Sequence, residues 1–332
     1  DNSDATTKSG QFKDSNTSGL SYSSASHSGV TDSRGTFSYE PGEEVTFSLG
    51  GVTLGSVTGA PVVTPVSLIG SGSTSTKAVL NIVRFLHLLD EDGDSSNGIS
   101  ISSSVQTLAE NWSQVDFTVI DIASEISTII SAVGAIPGET HTLPDESQAQ
   151  SHLESTMRCA YSGGFAGNFS GDDSGSFGFL VEASSGNVVG VAANSWGDVM
   201  TFSNQTSVSF DQSATFVTGS TYGGGVNFSG SFSDTDTVSG SWSEIIGSSS
   251  GSFSGRRVGG SASATYRFTG RYYGDGYGLF TLDINDNNEV TGFVYDVEHE
   301  DSYSLSGSLS ESTLSVTVSN GVTASATLNT ST

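Results

Sequence analysis

The chain has 332 residues, with 10 basic and 36 acidic side chains and a formal net charge of −26 at pH 7. A field of this sign repels nucleic acid and attracts cations, although a soluble, salt-tolerant surface accounts for the same charge. The one cysteine excludes an internal disulfide and a zinc cluster built from thiolates. The negative charge argues against a nucleic-acid partner. No run of roughly 18 apolar residues occurs, so we also expect no transmembrane segment.

The beginning of the chain predicts a flexible tail over residues 1–16 and a small β-module over residues 17–70. The tail is polar, without apolar periodicity or a signal peptide, which is typical of a mature, exported protein. In the module, apolar residues such as Phe37 and Tyr39 alternate with polar ones, the period of a half-buried strand. Turn clusters that contain glycine and proline separate these strands.

Residues 71–159 predict a helical segment. Its first helix, from Ala78 to Leu89, is apolar almost all round, and such a helix belongs in a core. Two more helices are predicted over residues 103–112 and 117–133, and a last one begins at Pro144.

Residues 160–332 predict a Gly-rich β-domain with two repeats, over residues 161–258 and 262–332. At constant spacing, Phe165, Gly167, Phe169, Gly175, Phe177 and Phe179 correspond to Phe268, Gly270, Tyr272, Gly278, Phe280 and Leu282. Each repeat is typical of an antiparallel β-meander, and the pair predicts either a barrel or a sandwich. The expected fold class is mainly β, with three or four helices in the middle of the chain.

The strongest chemical signal is the loop after the first helix, which contains Asp90, Asp92, Asp94 and Asn97. Carboxylates at alternate positions of a bent loop direct their oxygens toward one point, as calcium requires. The loop is not an EF-hand, because Ser and Ile occupy the positions of the required glycine and glutamate. We predict a structural Ca²⁺ site at these four residues, with a solvated acidic turn as the alternative. A further carboxylate could close the site, and the candidates are Asp116, Asp121 and Glu125.

Other patterns indicate structure rather than chemistry. The acidic run at 283–289 aligns with a plain hairpin turn of the first repeat, so we predict a turn there. Residues 247–251 read GxSxG, but their strand-like flanks do not fit a nucleophile elbow. His87 is expected to be a partly buried helix residue, and Cys159 a small buried hydrophobe. Neither a Ser–His pair nor a pair of convergent carboxylates is evident.

Four stretches between residues 11 and 100 carry a resemblance: QFKDSNTSGLSY, GVTDSRGTFSYEPGEEVTFSLGGVTLG, VTPVSL and NIVRFLHLLDEDGDSSNGI. They resemble a module of exported and lipoprotein-like surface proteins of gammaproteobacteria. The link HLESTMRCAYSGGFAGNFSG is similar to the junction after which such proteins continue into a Gly-rich β-domain. Through GSFSGRR, the C-terminal half is also similar to the barrels of surface lipoproteins that bind host proteins. The resemblance implies export and residence at the surface or in the periplasm, and it implies no activity.

We therefore predict a non-enzymatic protein of the cell surface or extracellular space that acts in adhesion, ligand binding or surface assembly. One alternative is a subunit of an extracellular filament, with a second copy of the chain as partner through strand addition. Another is a secreted hydrolase that acts on polysaccharide. A surface ligand or glycan would need aromatic side chains on one sheet face, and the candidates are Trp196, Trp242, Tyr272, Tyr273 and Tyr277.

Overall fold

The computed structural model describes residues 7–70, 72–196, 199–202, 208–209, 215–219, 225–259, 266–273, 277–285, 287–296, 299 and 301–327. The described residues up to Met157 form one compact unit, and those from Arg158 onward form a second. Strands are far more common than helices, which confirms the predicted mainly β class with a helical middle.

The first unit contains short strands followed by helices. Its strands are β1 (Lys8–Phe12), β2 (Thr17–Ser18), β3 (Ser21–Ser23), β4 (Ser28–Val30), β5 (Thr36–Tyr39), β6 (Glu44–Leu49), β7 (Val52–Thr58), β8 (Val62–Val63) and β9 (Ile99–Ser100). The helices are α1 (Pro65–Leu68), α2 (Lys77–Leu88), α3 (Ser103–Ala109), α4 (Ile122–Glu125), α5 (Ser127–Val133) and α6 (Glu146–Tyr161), with a 3-10 turn at Ser95–Asn97. The strands form sheets in the orders β5-β1-β8 and β4-β3-β6-β7, and β2 pairs with β9.

Strand β1 corrects the prediction of a flexible tail. It lies in the centre of its sheet, antiparallel to β5 and parallel to β8. Phe12 is fully buried and packs against Phe47, with ring centroids 4.9 Å apart. The tail prediction over residues 1–16 is thus wrong from Lys8 onward, while residues 1–6 lie outside the described ranges. A central strand that also buries polar residues such as Gln11 lacks the alternation that would identify it in the sequence.

The β-module and the helices share one hydrophobic core, so the boundary predicted at residue 70 does not separate two cores. Helix α2 lies within this core, and its residues Ile82, Val83, Phe85 and Leu86 are fully buried. The predicted position of this helix inside a core, rather than on a surface, agrees with its burial.

The predicted helix over residues 117–133 is instead two short helices, α4 and α5, that begin only at Ile122. The carbonyls of Phe117 and Val119 accept hydrogen bonds from the side-chain amide of Asn81 on α2. Because these carbonyls accept from Asn81, residues 117–121 do not form the first turns of a helix. The Asp121 carboxylate then caps α4 by accepting from the Ser124 N–H.

The second unit contains an eight-stranded sheet and a six-stranded sheet. The first sheet consists of β10 (Gly163–Gly171), β11 (Gly175–Val181), β12 (Val188–Asn194), β13 (Val199–Phe202), β14 (Thr215–Gly219), β15 (Val226–Asp234), β16 (Thr237–Glu244) and β17 (Ser250–Gly259). The second sheet consists of β18 (Tyr266–Tyr273), β19 (Tyr277–Ile284), β20 (Glu289–Asp296), β21 (Asp301–Ser310), β22 (Thr313–Val318) and β23 (Thr323–Thr327), paired in chain order.

The eight-stranded sheet is curled like a barrel that is open on one side. Its first strand, β10, pairs with its last, β17, and β13 and β14 form the two edges. Three strands lie between Phe179 on β11 and Phe232 on β15, yet their ring centroids are 6.4 Å apart. Such a contact requires the sheet to fold back on itself around an aromatic interior.

Each predicted repeat forms its own sheet, and the corresponding residues pair in the same register. Phe165 pairs with Phe179 in the first sheet, and Phe268 pairs with Leu282 in the second. Between the sheets, Phe293 packs against Gly259, where an added Cβ would lie 2.3 Å from the Cβ of Phe293. Glycine is required there because a side chain would displace this ring.

The carboxyl end of α6 is held by two buried arginines. Arg257 donates to the carbonyls of Ala160, Ser162 and Thr235, and it pairs with Asp236 at 2.9 Å. Burial lowers the pKa of Arg257 to about 10, which leaves its guanidinium charged at neutral pH. Cations at a helix carboxyl end also interact favourably with the helix dipole.

Arg267 makes a second, similar contact with this helix end. It forms a two-pronged pair with Asp283 at 2.7 and 3.1 Å and donates to the Cys159 carbonyl at 2.8 Å. Cys159 itself is exposed, contrary to the prediction of a buried thiol. The buried face of α6 consists instead of Ala149, Leu153, Met157 and Ala160.

We predict that Arg257→Lys lowers the free energy of unfolding by about 3 kcal/mol, because a lysine cannot satisfy the same carbonyls and buried pairs are costly to break. Denaturant unfolding of the full chain measures this difference. The matched control is Arg256→Lys, since Arg256 is an exposed neighbour on the same strand and should change stability by less than about 0.5 kcal/mol. Equal stability of the two variants would contradict a role for Arg257 in holding the helix end.

Candidate functional site

A cleft of about 430 Å³ opens at one end of the eight-stranded sheet. Its apolar lining includes Phe169, Phe228, Trp242 and Trp196. Trp242 is buried, and its indole N–H donates to the Ser170 carbonyl at 3.0 Å, which fixes the ring as part of the floor. Trp196 is 84% exposed and stands at the rim.

A short hydrogen-bond chain positions the rim. The Asn194 side-chain oxygen accepts from the Trp196 backbone N–H at 3.1 Å, and its amide donates to Asp173 at 2.9 Å. Asp172 accepts from the Ser250 N–H across the sheet. The turn that presents Trp196 is therefore tied to the neighbouring strands, and its aromatic face is left available to a ligand.

The cleft is acidic as well as aromatic. Asp172, Asp173 and Glu244 line it together with the two tryptophans, and none of the described lining residues is basic. A site of this charge disfavours anionic ligands by like-charge repulsion. Neutral or cationic ligands with an apolar face suit it better.

The cleft thus contains two of the five aromatic residues that were predicted as ligand contacts, Trp196 and Trp242. Tyr272, Tyr273 and Tyr277 lie instead on the β18–β19 hairpin of the other sheet. Tyr272 does not line the cleft, and the side chains of Tyr273 and Tyr277 lie outside the described part of the structure. The sequence did not distinguish the two groups because both occur in Gly- and Ser-rich segments of similar composition.

The predicted calcium loop folds back on itself through its own polar groups. Asp92 accepts from the Asp94 N–H and from the Asn97 amide, and Asp94 accepts from the N–H and hydroxyl of Ser96. The Asp90, Asp92 and Asp94 carboxylates do not place three oxygens within 4.8 Å of one another. The three candidates for a further carboxylate make local hydrogen bonds instead. Asp116 and Asp121 precede α4, and Glu125 is its last residue.

Asp90 differs from the other acidic residues of the loop because it is buried. One of its oxygens accepts from the Ser100 N–H at 2.9 Å, and no described residue forms a hydrogen bond with Oδ2. Burial raises the pKa of Asp90 to about 6, and the neighbouring Asp92 carboxylate adds to the increase. This carboxylate is therefore the one in the loop with most to gain from a cation.

A second polar cluster was not predicted. Asp14 in the β1–β2 turn, His87 near the end of α2 and His152 on α6 place their ligand atoms within 4.8 Å of one another. Asp14 is fully buried, and neither of its oxygens has a hydrogen-bond partner among the described residues. Burial lowers the pKa of His152, although the nearby Asp14 partly opposes this effect.

Ser15 also contacts this cluster but does not complete a catalytic triad. Its Oγ lies 3.0 Å from His152 Nε2 and 2.9 Å from the Ser95 carbonyl. Asp14 approaches the same Nε2, at 3.7 Å. A triad needs the carboxylate on the other ring nitrogen, where it orients the histidine.

Residues 247–251 and the acidic run at 283–289 each lie where one strand connects to the next. The first group covers the end of the connection after β16 and the first two residues of β17, so it is not a strand-to-helix elbow. In the second, Asn288 has a φ of 61° within the β19–β20 hairpin and Asp283 pairs with Arg267, while Asp286 lies outside the described ranges.

In the described part of the chain, no helix combines the length and apolar character needed to cross a bilayer. Comparisons of the chain with models of known protein families, with curated proteins and with solved structures found no match.

Proposed function

We propose that this chain is a non-enzymatic, exported surface or extracellular protein that binds a neutral polyhydroxylated ligand, such as a glycan, in the aromatic cleft of its eight-stranded sheet. The observation that carries the proposal is the position of Trp196, a large exposed aromatic held at the rim of a concave site. Monomeric proteins expose such side chains in clefts chiefly where they bind a partner.

The chemistry of the lining supports this ligand class. Sugars present apolar C–H faces that stack on indole rings, together with hydroxyl groups that donate to carboxylates. The cleft offers both kinds of group, with Trp196 and Trp242 beside Asp172, Asp173 and Glu244. Its volume of about 430 Å³ suits one or two sugar units.

We predict that the full chain binds neutral polysaccharides more tightly than anionic ones, and that Trp196→Ala weakens this binding about tenfold or more. Truncating an aromatic anchor typically costs more than about 1 kcal/mol. Binding to a panel of neutral, amino and acidic polysaccharides, measured by titration calorimetry, gives the comparison.

The matched control is Ile120→Ala, since Ile120 is also largely exposed but belongs to the first unit. It should leave binding unchanged. Absence of binding to every polysaccharide, or equal binding by Trp196→Ala, would refute the proposal. Release of reducing ends from a bound polysaccharide would instead favour the hydrolase alternative.

The same proposal includes a structural Ca²⁺ at Asp90, Asp92, Asp94 and Asn97, supported by the unpartnered oxygen of the buried Asp90. Calcium should raise the free energy of unfolding by about 2.7 kcal/mol at a hundredfold excess over Kd. The double variant Asp92→Asn, Asp94→Asn should lose most of this gain. Equal melting of the native chain in calcium and in chelator would remove calcium from the proposal.

The pH dependence of stability gives a further test at Asp90. Because its pKa is raised in the folded chain from 3.8 to about 6, the folded state holds this proton more tightly. In chelator, the contribution of Asp90 therefore stabilises the fold below about pH 4 and is lost as the pH rises to about 6, by up to about 3 kcal/mol. Urea unfolding of the native chain and of Asp90→Asn across this range should show the loss in the native chain alone.

A further inference from the structure

The Asp14–His87–His152 cluster contains too few hydrogen bonds for its burial. The distance from His87 Nε2 to Asp14 Oδ2 is 3.4 Å, and that from His152 Nε2 to Asp14 Oδ1 is 3.7 Å. Hydrogen bonds between such groups are about 2.7–3.2 Å long. Both separations exceed this range, and His87 Nε2 has no hydrogen-bond partner in the ranges that the structure describes.

These separations instead fit ligands that share one metal ion. Ligand atoms bound tetrahedrally at about 2.0–2.1 Å from a metal lie roughly 3.4 Å from one another. The two measured separations are close to this value. The imidazole rings of His87 and His152 are nearly perpendicular, with centroids 4.4 Å apart. Both Nε2 atoms lie near the Asp14 carboxylate.

The burial of Asp14 supplies an independent reason for a cation. Its carboxylate is 0% exposed, and within the described part of the chain both oxygens lack a hydrogen-bond donor. A buried charge in this condition is costly unless a counter-charge binds it directly. A divalent ion between Asp14 and the two histidines would supply that counter-charge.

The donor set indicates which class of ion fits. Two imidazole nitrogens and one carboxylate oxygen are ligands for zinc and for the neighbouring divalent transition metals. Calcium and magnesium prefer oxygen donors alone. The cluster therefore differs in chemistry from the acidic loop that begins at Asp90.

We infer that Asp14, His87 and His152 bind one divalent transition-metal ion of the zinc class, which joins the β1–β2 turn to α2 and α6. Three protein ligands leave one tetrahedral position for water or for Ser15, whose Oγ is 3.0 Å from His152 Nε2. The inference is independent of the glycan cleft, which is formed by residues of the second unit.

The test uses the full chain after removal of bound metal, with Zn²⁺ and Co²⁺ as probes. The native chain should bind one Zn²⁺, and Asp14→Asn and His152→Gln should each weaken binding on the order of a hundredfold. Co²⁺ should give the intense visible absorption of a tetrahedral site in the native chain only. Absence of stoichiometric Zn²⁺ binding, or equal affinity in the variants, overturns the inference.

Two control variants distinguish this site from other residues of the first unit that could bind a metal ion. His27→Gln changes a histidine outside the cluster and should leave Zn²⁺ affinity within about twofold. The double variant Asp92→Asn, Asp94→Asn should also keep Zn²⁺ binding, although it removes two carboxylates of the acidic loop. Loss of Zn²⁺ affinity in the loop variant but not in Asp14→Asn would assign the ion to the loop and overturn the inference.

Two measurements keep the test decisive if a variant folds poorly. Asp14→Asn keeps the shape of the side chain, so the variant should fold in chelator, and Zn²⁺ should not raise its Tm. In the native chain, one equivalent of Zn²⁺ should shift the ring NMR signals of two of the five histidines. Assignment of the shifted signals to histidines other than His87 and His152 would overturn the inference.

Discussion

The arrangement of the first unit depends on helix α2, in which nine of the twelve residues are buried. A helix buried to this extent must be covered on most of its surface, and the β-module together with α3, α4 and α5 supplies this cover. Each large apolar side chain that becomes buried contributes roughly 1.5–3 kcal/mol. Four or five of them on α2 offset the cost of the unpartnered polar groups buried near its carboxyl end, which is ~1–3 kcal/mol each. Strand β1 contributes to this core as well, because its Phe12 is buried there.

Several buried polar side chains lie near the carboxyl end of α2. His87 points toward Asp14, and Asp90 begins the acidic loop three residues later. Ser95 lies between the two groups, because its carbonyl accepts from Ser15 and its hydroxyl is 3.5 Å from His152 Nδ1. An ion bound in either group would therefore restrain residues that also contact the other. The two groups would suit different ions, since one offers imidazole nitrogens and the other only oxygens.

In the second unit, the alternation of glycine with aromatic residues explains both the curvature and the cleft. Phenylalanine rings fill the interior, and glycines between them allow close approach, as at Gly240, where an added Cβ would lie 2.0 Å from the Ser229 carbonyl oxygen. β10 and β17 pair in the middle of the sheet and join its two halves, and its edges are β13 and β14. Trp242 extends the aromatic interior to one end of the sheet, where Trp196 and three carboxylates provide the polar rim.

The sequence by itself determined the mainly β class, the apolar α2, the acidic loop and the register of the repeats, because each depends on spacing within one segment. It did not reveal β1 or the break before α4, because pairing with distant strands and the Asn81 amide decided their conformations. The Asp14–His87–His152 cluster was missed for the same reason. Its members are 73 and 65 positions apart in the numbering of the chain, and no local pattern marks a turn aspartate and two isolated histidines as neighbours. Only the packing of α2 and α6 against the β1–β2 turn brings them together, since that packing follows from burial of apolar faces rather than from the polar residues themselves.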